Sequence, residues 1–124
     1  MNKMNRREKL IWAASFIDGE GYVEYKRIPK KNGRGIVYPT IVIKIEVCNT
    51  DFAPIRFLKE IFGGVIYKRK SRFTAKGTKT LPQEMWTIYH KKVYEVCKDI
   101  LPFLMTTQRK DKAKQIINYY ENIK

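Results

Sequence analysis

The chain has 124 residues, 44% of them hydrophobic and 13% aromatic, and 26 Lys and Arg against 12 Asp and Glu give a formal net charge of +14. This composition predicts a single folded domain over residues 1–124 and excludes a disordered chain. No apolar run reaches the roughly 18 residues of a membrane span, and the basic start lacks the long apolar stretch of a secretory signal. We therefore expect an intracellular protein, in the cytoplasm, the nucleoid or an organelle.

The excess positive charge predicts a polyanionic partner, either DNA, RNA or an anionic membrane surface. A membrane-binding chain usually gathers its basic residues on one amphipathic helix. Here they are spread along predicted strands and loops, which favours a nucleic acid over a membrane. Cys48, Cys97 and the single His90 form no zinc-binding pattern. We interpret the cysteines as structural and reduced, and His90 as a sheet residue able to contact DNA.

The predicted elements begin with a helix over residues 6–18, in which apolar side chains recur at helical spacing on nearly all sides. Gly19 and Gly21 are expected to end this helix. Two strands are predicted next, over 22–28 and 36–48, joined by the flexible basic turn PKKNGRG. Apolar and polar residues alternate in the second strand, which predicts one face for a core and one exposed face.

The second half of the chain repeats the pattern of helix and strands. A helix is predicted over 52–62, because it follows the capping sequence Asn49-Thr50-Asp51 and precedes Gly63-Gly64. The remaining predicted elements are a strand over 65–73, a strand over 84–92, a short helix over 91–101 and a last helix over 106–123. This order, α-β-β-α-β-β-α with one further helix before the last, predicts an α+β fold. Its antiparallel sheet would be covered by helices on one face.

The uncovered face of that sheet is the predicted DNA-binding surface. A twisted basic sheet can lie in the major groove and reach base edges; an ordinary solvated sheet face is the alternative. The first two strands and their turn contribute the candidates Tyr22, Glu24, Lys26, Lys30, Arg34, Thr40, Lys44 and Glu46. The third strand contributes Lys68, Lys70 and Arg72, although its phase stays ambiguous because basic residues fall on both of its faces.

Residues 13–21 read AASFIDGEG and place two acidic residues at the end of the apolar helix. A carboxylate there faces the negative end of the helix dipole, which costs roughly 0.3–1 kcal/mol, and a bound cation would offset that cost. Carboxylate and carbonyl oxygens suit Mg²⁺, and glycines let the backbone pass close to such a site. From these residues alone, an ordinary acidic turn is the simpler interpretation.

AASFIDGEG is similar to the LAGLIDADG motif of the LAGLIDADG homing endonucleases. The chain's size, charge and element order, and its segments VCNTD, FGG, VIYKRK and LPFL, resemble the members that carry one motif. The resemblance implies an αββαββα fold with a saddle-shaped sheet and a homodimer. It also implies an intron-encoded enzyme that uses Mg²⁺ or Mn²⁺ to hydrolyse one phosphodiester in each strand of a long pseudo-palindromic DNA site.

The same resemblance assigns roles to the motif residues. Glu20 stands at the metal-binding position, where Asp is commoner, and Gly19 beside it is assigned to the metal site as well. Small residues of the motif helix would let two such helices pack closely. The residues assigned to this dimer interface are Ala14, Ser15, Asp18 and Gly19, with Asp18 interpreted as a structural residue rather than a direct metal ligand.

Two further catalytic positions follow from the resemblance. Asn49 matches a polar position that orients water near the metals, with a simple helix cap as the equally weighted alternative. Thr107 falls where the family often has a Lys near the scissile phosphate. Arg109 or Lys110 would then supply the basic catalytic charge.

Two other functions fit the same sequence. One is an RNA-binding maturase that assists splicing of its own intron, since the family includes such proteins; intron RNA would then be a partner. The other is a non-catalytic DNA-binding protein on the same fold. The intact DGEG stretch favours the endonuclease over both.

Overall fold

A computed structural model describes residues 3–123 and contains the predicted succession of elements. These are α1 (Arg6–Glu20), β1 (Gly21–Lys31), β2 (Val37–Asn49), α2 (Phe52–Phe62), β3 (Val65–Arg69), β4 (Gln83–Tyr89), α3 (Lys91–Ile100), a 3₁₀ turn (Leu101–Phe103) and α4 (Thr107–Asn122). Within the described range, none of the helices combines the length and apolar character needed to cross a membrane. The fold class is α+β, as predicted.

Helix α1 is two residues longer than predicted. It begins with a capping box, in which the Asn5 side chain accepts from the Glu8 N–H and Glu8 accepts from the Asn5 N–H, both at 2.9 Å. The prediction that Gly19 ends the helix is wrong, because Gly19 lies inside its last turn. The helix ends at Gly21, where a Cβ would come within 2.9 Å of the Ile17 carbonyl oxygen. Glycine at this position therefore lets the chain pass directly from helix to strand.

The sheet has the strand order β1-β2-β4-β3, and every neighbouring pair is antiparallel. Strands β1 and β2 pair over their whole length, but β4 pairs only with Lys44–Asn49. The six outer pairs of β1 and β2, from Lys26↔Val42 to Lys31↔Val37, therefore project beyond the four-stranded sheet. At about 3.3 Å per residue this two-stranded ribbon is about 20 Å long.

The helices cover one face of the sheet, and the core lies between them. The predicted alternation in β2 is confirmed, since Ile43, Ile45 and Val47 are buried against the helices. Trp86 of β4 is also fully buried, and its indole N–H donates to the Gly63 carbonyl at 2.7 Å. The fold of this region is thus set by the apolar residues that share one face of β2 and β4.

The two later strands are shorter than predicted. Strand β3 ends at Arg69, and the chain then forms a loop whose Arg72 and Thr80 pair through backbone and side-chain hydrogen bonds. Strand β4 ends at Tyr89 because His90 adopts a positive φ of 55° and turns the chain into α3. The interpretation of His90 as a sheet residue is therefore wrong.

One ion pair joins α2 to the sheet. Glu84 of β4 lies on the helix-covered face with its side chain 2% exposed. The Arg56 guanidinium donates to both of its carboxylate oxygens, at 3.1 and 2.9 Å. The hydrogen bonds from Arg56, helped by its charge and that of Lys68, hold the pKa of Glu84 below its ordinary value. A buried carboxylate is tolerated here because a bidentate guanidinium satisfies it.

We predict that Glu84→Gln lowers the free energy of unfolding at neutral pH and that the difference from the wild type shrinks in acid. The folded-state pKa is depressed, so this contribution is present above the ordinary value of 4.5 and is lost as the pH falls through the folded pKa. Urea unfolding at several pH values measures it. The control is Glu95→Gln, which removes a surface pair at 4.0 Å and should change little at any pH. A Glu84→Gln variant with the wild-type pH profile would contradict the prediction.

Candidate functional site

The motif carboxylate lies where α1 passes into β1. Glu20 is the last residue of α1, its side chain is exposed, and it forms no hydrogen bond or ion pair with any of residues 3–123. Beside it, a Cβ added to Gly19 would meet no atom within 4 Å. The carboxylate and the neighbouring backbone are therefore accessible to an external ligand.

The donor set at this junction suits a hard cation only in part. No group of three or more His, Cys, Asp or Glu able to hold a metal exists within the described part of the chain. The Glu20 carboxylate and the Gly19 carbonyl, which lacks a helical donor in the last turn, are oxygen ligands of the kind Mg²⁺ prefers. For a cation at this junction, one chain would supply only these oxygens, and the remaining ligands would be water, a phosphate or a second protein copy.

The other motif acid, Asp18, is engaged within its own chain. Its carboxylate accepts from the Met105 N–H at 2.6 Å, from the Thr106 N–H at 3.2 Å and from the Thr106 hydroxyl at 2.7 Å. Partial burial alone would raise the pKa of Asp18, but these bonds and the charge of Arg109 outweigh it and lower the pKa. Asp18 therefore fixes the end of α1 to the segment that precedes α4, which agrees with its structural interpretation.

The two candidate basic residues lie in different surroundings. Arg109 donates from Nε and Nη2 to the Gly21 carbonyl, at 3.0 and 2.7 Å, so its guanidinium ties α4 to the first residue of β1. Lys110 is half-buried and hydrogen-bonds to no residue in the range 3–123 through its side chain. Thr107, at the expected lysine position, is exposed at the start of α4. Arg109 is thus held by the fold, whereas the Lys110 ammonium is not.

Asn49 lies at the same edge of the sheet as Glu20. It ends β2, two residues beyond the Gly21↔Val47 pair. Its side-chain oxygen accepts from the Asp51 N–H at 2.9 Å, but Asp51, not Asn49, is the cap of α2 and accepts from the Ala53 N–H. The oxygen of Asn49 therefore stabilises the turn into α2. The residue itself lies at the edge of the sheet where α1 passes into β1.

Only some of the predicted interface residues face outward. Ser15 and Gly19 lie one turn apart on an exposed stripe of α1, together with Ile11, which is 38% exposed. Ala14 is fully buried, since it shares the core-facing side of the helix with Ile17. The assignment of Ala14 to a dimer interface is therefore wrong, whereas Ser15 and Gly19 are free to contact a partner.

The centre of the open sheet face carries a mixed cluster of charged side chains, which we call the central cluster. Its members are Tyr22, Glu24 and Lys26 of β1, and Lys44 and Glu46 of β2. Glu24 Oε2 accepts from the Tyr22 hydroxyl at 2.7 Å and pairs with the Lys26 ammonium at 3.1 Å. Lys44 lies 3.9 Å from Glu24 Oε1 and pairs closely with Glu46. Ion pairs thus hold the side chains of this region in place.

The carboxylate of Glu24 is the least exposed charge of the central cluster, and the residue is only 6% exposed. Its burial would raise its pKa, but the hydrogen bonds from Tyr22 and Lys26 outweigh this and lower the pKa. The pairing with Glu46 raises the pKa of Lys44. Both pKa shifts favour the charged forms of Glu24 and Lys44.

The positive charge of the chain is concentrated at the two ends of the sheet. Residues 25–43, which include the ribbon, contain five basic and no acidic residues; residues 61–83, around β3 and its loop, contain six basic and none acidic. These two segments therefore account for eleven of the net +14 charges of the whole chain. Five of the predicted DNA contacts lie in these two segments and are exposed. They are Lys26, which also belongs to the central cluster, Lys30 and Arg34 in the first segment, and Lys70 and Arg72 in the second.

The register resolves the ambiguous third strand and corrects one assignment. Lys68 pairs with Glu84 and therefore points to the helix-covered face, not to the open face. The open-face positions of β3 are Val65, Tyr67 and Arg69, by the alternation of the strand. These residues, with Tyr89 of β4, were missed because the sequence shows no strict alternation in VIYKRK. Trp86 and Ile88 of the paired strand β4 are large apolar residues at alternate positions. They mark the buried face of β4 and, through the pairing of Ile66 with Trp86, the buried face of β3.

No protein-family model and no curated protein sequence matches this chain. Among solved structures it is similar to the homing endonuclease I-CvuI in complex with its target, with a TM-score of 0.68 and 15% identity over 94% of this chain and 68% of that one. It is also similar to the group I intron-encoded homing endonuclease I-CeuI complexed with DNA (TM-score 0.59, 12% identity, 97% and 57% covered). A third similar structure is the LAGLIDADG homing endonuclease I-LtrWI bound to target DNA, with a TM-score of 0.56 and 15% identity over 94% of this chain and 39% of that one. The chain has the LAGLIDADG homing endonuclease fold, which confirms the prediction from its motif.

We predict that Asp18→Asn destabilises the fold by about 1.5–3 kcal/mol, because an amide can no longer accept from all three donors of Met105 and Thr106. Urea unfolding at neutral pH measures the loss. Asp111→Asn is the matched control, since that exposed carboxylate on α4 pairs with nothing in the described range. Equal unfolding midpoints for Asp18→Asn and the wild type would show that the bonds contribute nothing.

Proposed function

We propose that this protein is a site-specific endonuclease that cleaves double-stranded DNA as a homodimer and uses a divalent metal. The observation that carries the proposal is the exposed Glu20 carboxylate, which has no partner among residues 3–123 and ends a helix that exposes Ser15 and Gly19. It stands at one edge of a sheet whose two ends hold most of the net positive charge. A polyanion drawn to the open face would meet this carboxylate at the motif.

The exposed stripe of α1 supports the homodimer. Ser15 and Gly19 present little side chain, so two copies of α1 can approach closely along them. A two-fold axis between the helices brings two Glu20 carboxylates near one another, one for each DNA strand, and makes a pseudo-palindromic target the natural one. Each copy hydrolyses one phosphodiester in this scheme.

The metal would be held by Glu20 and the Gly19 carbonyl of each copy, as oxygen ligands. When bound, Mg²⁺ or Mn²⁺ supplies the positive charge that stabilises the phosphate during in-line displacement. The protein residues have separate tasks. Asp18 and Arg109 keep the end of α1 in place through Met105, Thr106 and Gly21. We assign the basic catalytic charge to Lys110, whose ammonium has no hydrogen-bond partner among residues 3–123, and the orientation of a water to Asn49.

The sheet would bind a long DNA site. Basic residues at its two ends grip phosphates, which gives affinity without sequence information. Open-face side chains between them reach base edges in the major groove. I-CvuI, with the same fold, was crystallised with DNA in the presence of Ca and of Mg. I-CeuI and I-Vdi141I are intron-encoded, and we extend that origin to this chain.

The proposal is tested by incubating the wild-type protein with a randomised double-stranded DNA library in Mg²⁺, in Ca²⁺ and with chelator. Cuts at one pseudo-palindromic site in Mg²⁺, and none with chelator, support the endonuclease. Salt-sensitive binding to duplex without any cut would instead support a non-catalytic DNA-binding protein. Binding to structured intron RNA but not to duplex would support a maturase.

We predict that Glu20→Gln keeps duplex binding close to the wild type but strongly lowers cleavage. Changing a residue that only supports a metal ligand typically costs about 10- to 100-fold in activity, and the loss of the ligand itself should exceed that. The amide is uncharged and a poorer cation ligand. Gel-shift titration in Ca²⁺ measures binding, and single-turnover cleavage in Mg²⁺ measures activity. Glu60→Gln, an exposed acid of α2, should behave as the wild type. Full activity in Glu20→Gln would remove Glu20 from the mechanism.

We predict that Gly19→Leu converts the dimer to a monomer without loss of folding. A Cβ at Gly19 points into open space, with no atom within 4 Å outside its own helix turn, so we expect the larger side chain to fit its own chain and to clash with a partner. Sedimentation gives the mass, and thermal unfolding of the separated monomer reports on the fold. Gly19→Ala is the milder control and should remain dimeric. A dimeric Gly19→Leu would show that this stripe is not the interface.

A further inference from the structure

The central cluster differs in charge from the rest of the open face. Its two carboxylates, Glu24 and Glu46, balance its two ammonium groups, Lys26 and Lys44. The ends of the sheet, by contrast, carry the ten other basic residues of the segments 25–43 and 61–83, without an acid. A neutral region cannot bind phosphates by charge, so the affinity for a polyanion must come from the ends. The centre is left for contacts that depend on the pattern of donors and acceptors.

Within the central cluster, Glu24 is an internal support. Its residue is 6% exposed, one oxygen is occupied by Tyr22 and Lys26, and the other lies 3.9 Å from Lys44. No ligand on the open face can displace these partners without breaking the cluster. Glu24 therefore positions its neighbours and is itself shielded from a ligand.

Lys26, whose side chain is 53% exposed, lies in the ribbon, whereas Glu46 and Lys44 form an adjacent acceptor and donor that both keep groups available on the surface. The Glu46 side chain is 22% exposed and pairs with Lys44 through Oε1 only, so Oε2 remains an acceptor. Lys44 is 27% exposed and has three N–H donors. Tyr22 gives its hydroxyl hydrogen to Glu24 and so offers only an acceptor outward. Besides the Tyr22 oxygen, the surface thus presents the Glu46 acceptor and the Lys44 donor, which are adjacent to each other and held by an ion pair.

We propose that Glu46 and Lys44 form a base-reading pair for a C·G base pair in the major groove, with Glu24 and Tyr22 as positioning residues. The Glu46 carboxylate accepts from the exocyclic amino group of cytosine, and the Lys44 ammonium donates to O6 or N7 of the paired guanine. Guanine or thymine opposite Glu46 would present only acceptors, and the carboxylate would repel them. This inference rests on the proposed function, because it needs a sequence-specific duplex on the open face.

The test is selection of binding sites from a randomised duplex library in Ca²⁺, followed by sequencing. We expect the wild type to require cytosine at one position of each half-site. In Glu46→Gln that preference should fall by about 5- to 100-fold, the range of one base contact, with the other positions unchanged. Glu46→Arg should change the preferred base at the same position to guanine, because a guanidinium reads O6 and N7.

The positioning role has its own readout in the same experiment. Tyr22→Phe should weaken the preference at the position lost in Glu46→Gln and at no other, because Glu24 loses one of its partners. Glu60→Gln, on α2 away from the sheet, is the control and should leave every position unchanged.

The outcomes separate this inference from the function on which it rests. A wild type that selects a defined site while Glu46→Gln and Glu46→Arg leave its base preferences intact overturns the reading pair alone. A preferred guanine or thymine at the affected position overturns it as well. A wild type that binds duplex without any sequence preference overturns both the inference and the proposed site-specific endonuclease.

Discussion

The acceptance of three hydrogen bonds by Asp18 is the interaction on which the geometry of the motif depends. A helix that ends in two acidic residues is disfavoured by its own dipole, and α1 has no basic residue in its last turn. The Asp18 carboxylate is stabilised by the N–H groups of Met105 and Thr106. On the far side of Glu20, Arg109 donates to the Gly21 carbonyl. The end of the helix is therefore fixed from a segment 87 residues away in the chain, whereas the Glu20 carboxylate has no partner among residues 3–123. The two acids of one motif thus differ in their surroundings: Asp18 maintains the structure, and Glu20 is exposed.

The charges of the open face separate two tasks, the attraction of a polyanion and the discrimination between base sequences. Lysines and arginines dominate the two ends, where contacts with phosphates are independent of sequence. The centre is neutral and pre-organised by ion pairs, so binding there needs little ordering of side chains. A search along DNA would be carried by the ends, while the centre contributes only when the donors and acceptors of the bases match it. Net charge alone would not have revealed this division, because it sums over both regions.

Much of the fold could be predicted from the sequence, since apolar periodicity fixes each element and its buried face. The alternation in β2 gave the correct open-face residues there, and Asp51 and Gly63 gave the bounds of α2. The phase of β3 could not be read from VIYKRK, because its register depends on pairing with β4, and Lys68 was misplaced for that reason. Ala14 was misplaced because a small residue in a helix suits a partner helix and a tight core equally. The roles of Asp18 and Arg109 depend on contacts between distant segments, which local patterns do not contain.

The projecting ribbon has a consequence for the protein in the absence of DNA. Strand β1 is an edge of the sheet, and near the ribbon tip the exposed residues Ile36, Val37 and Tyr38 make a surface prone to strand-to-strand association. Pro29 lies opposite Pro39 in the ribbon, and neither can donate a backbone hydrogen bond to an incoming strand. The lysines beside them repel the ribbon of another molecule. The positive charge of the ribbon therefore also opposes aggregation of an exposed sheet edge.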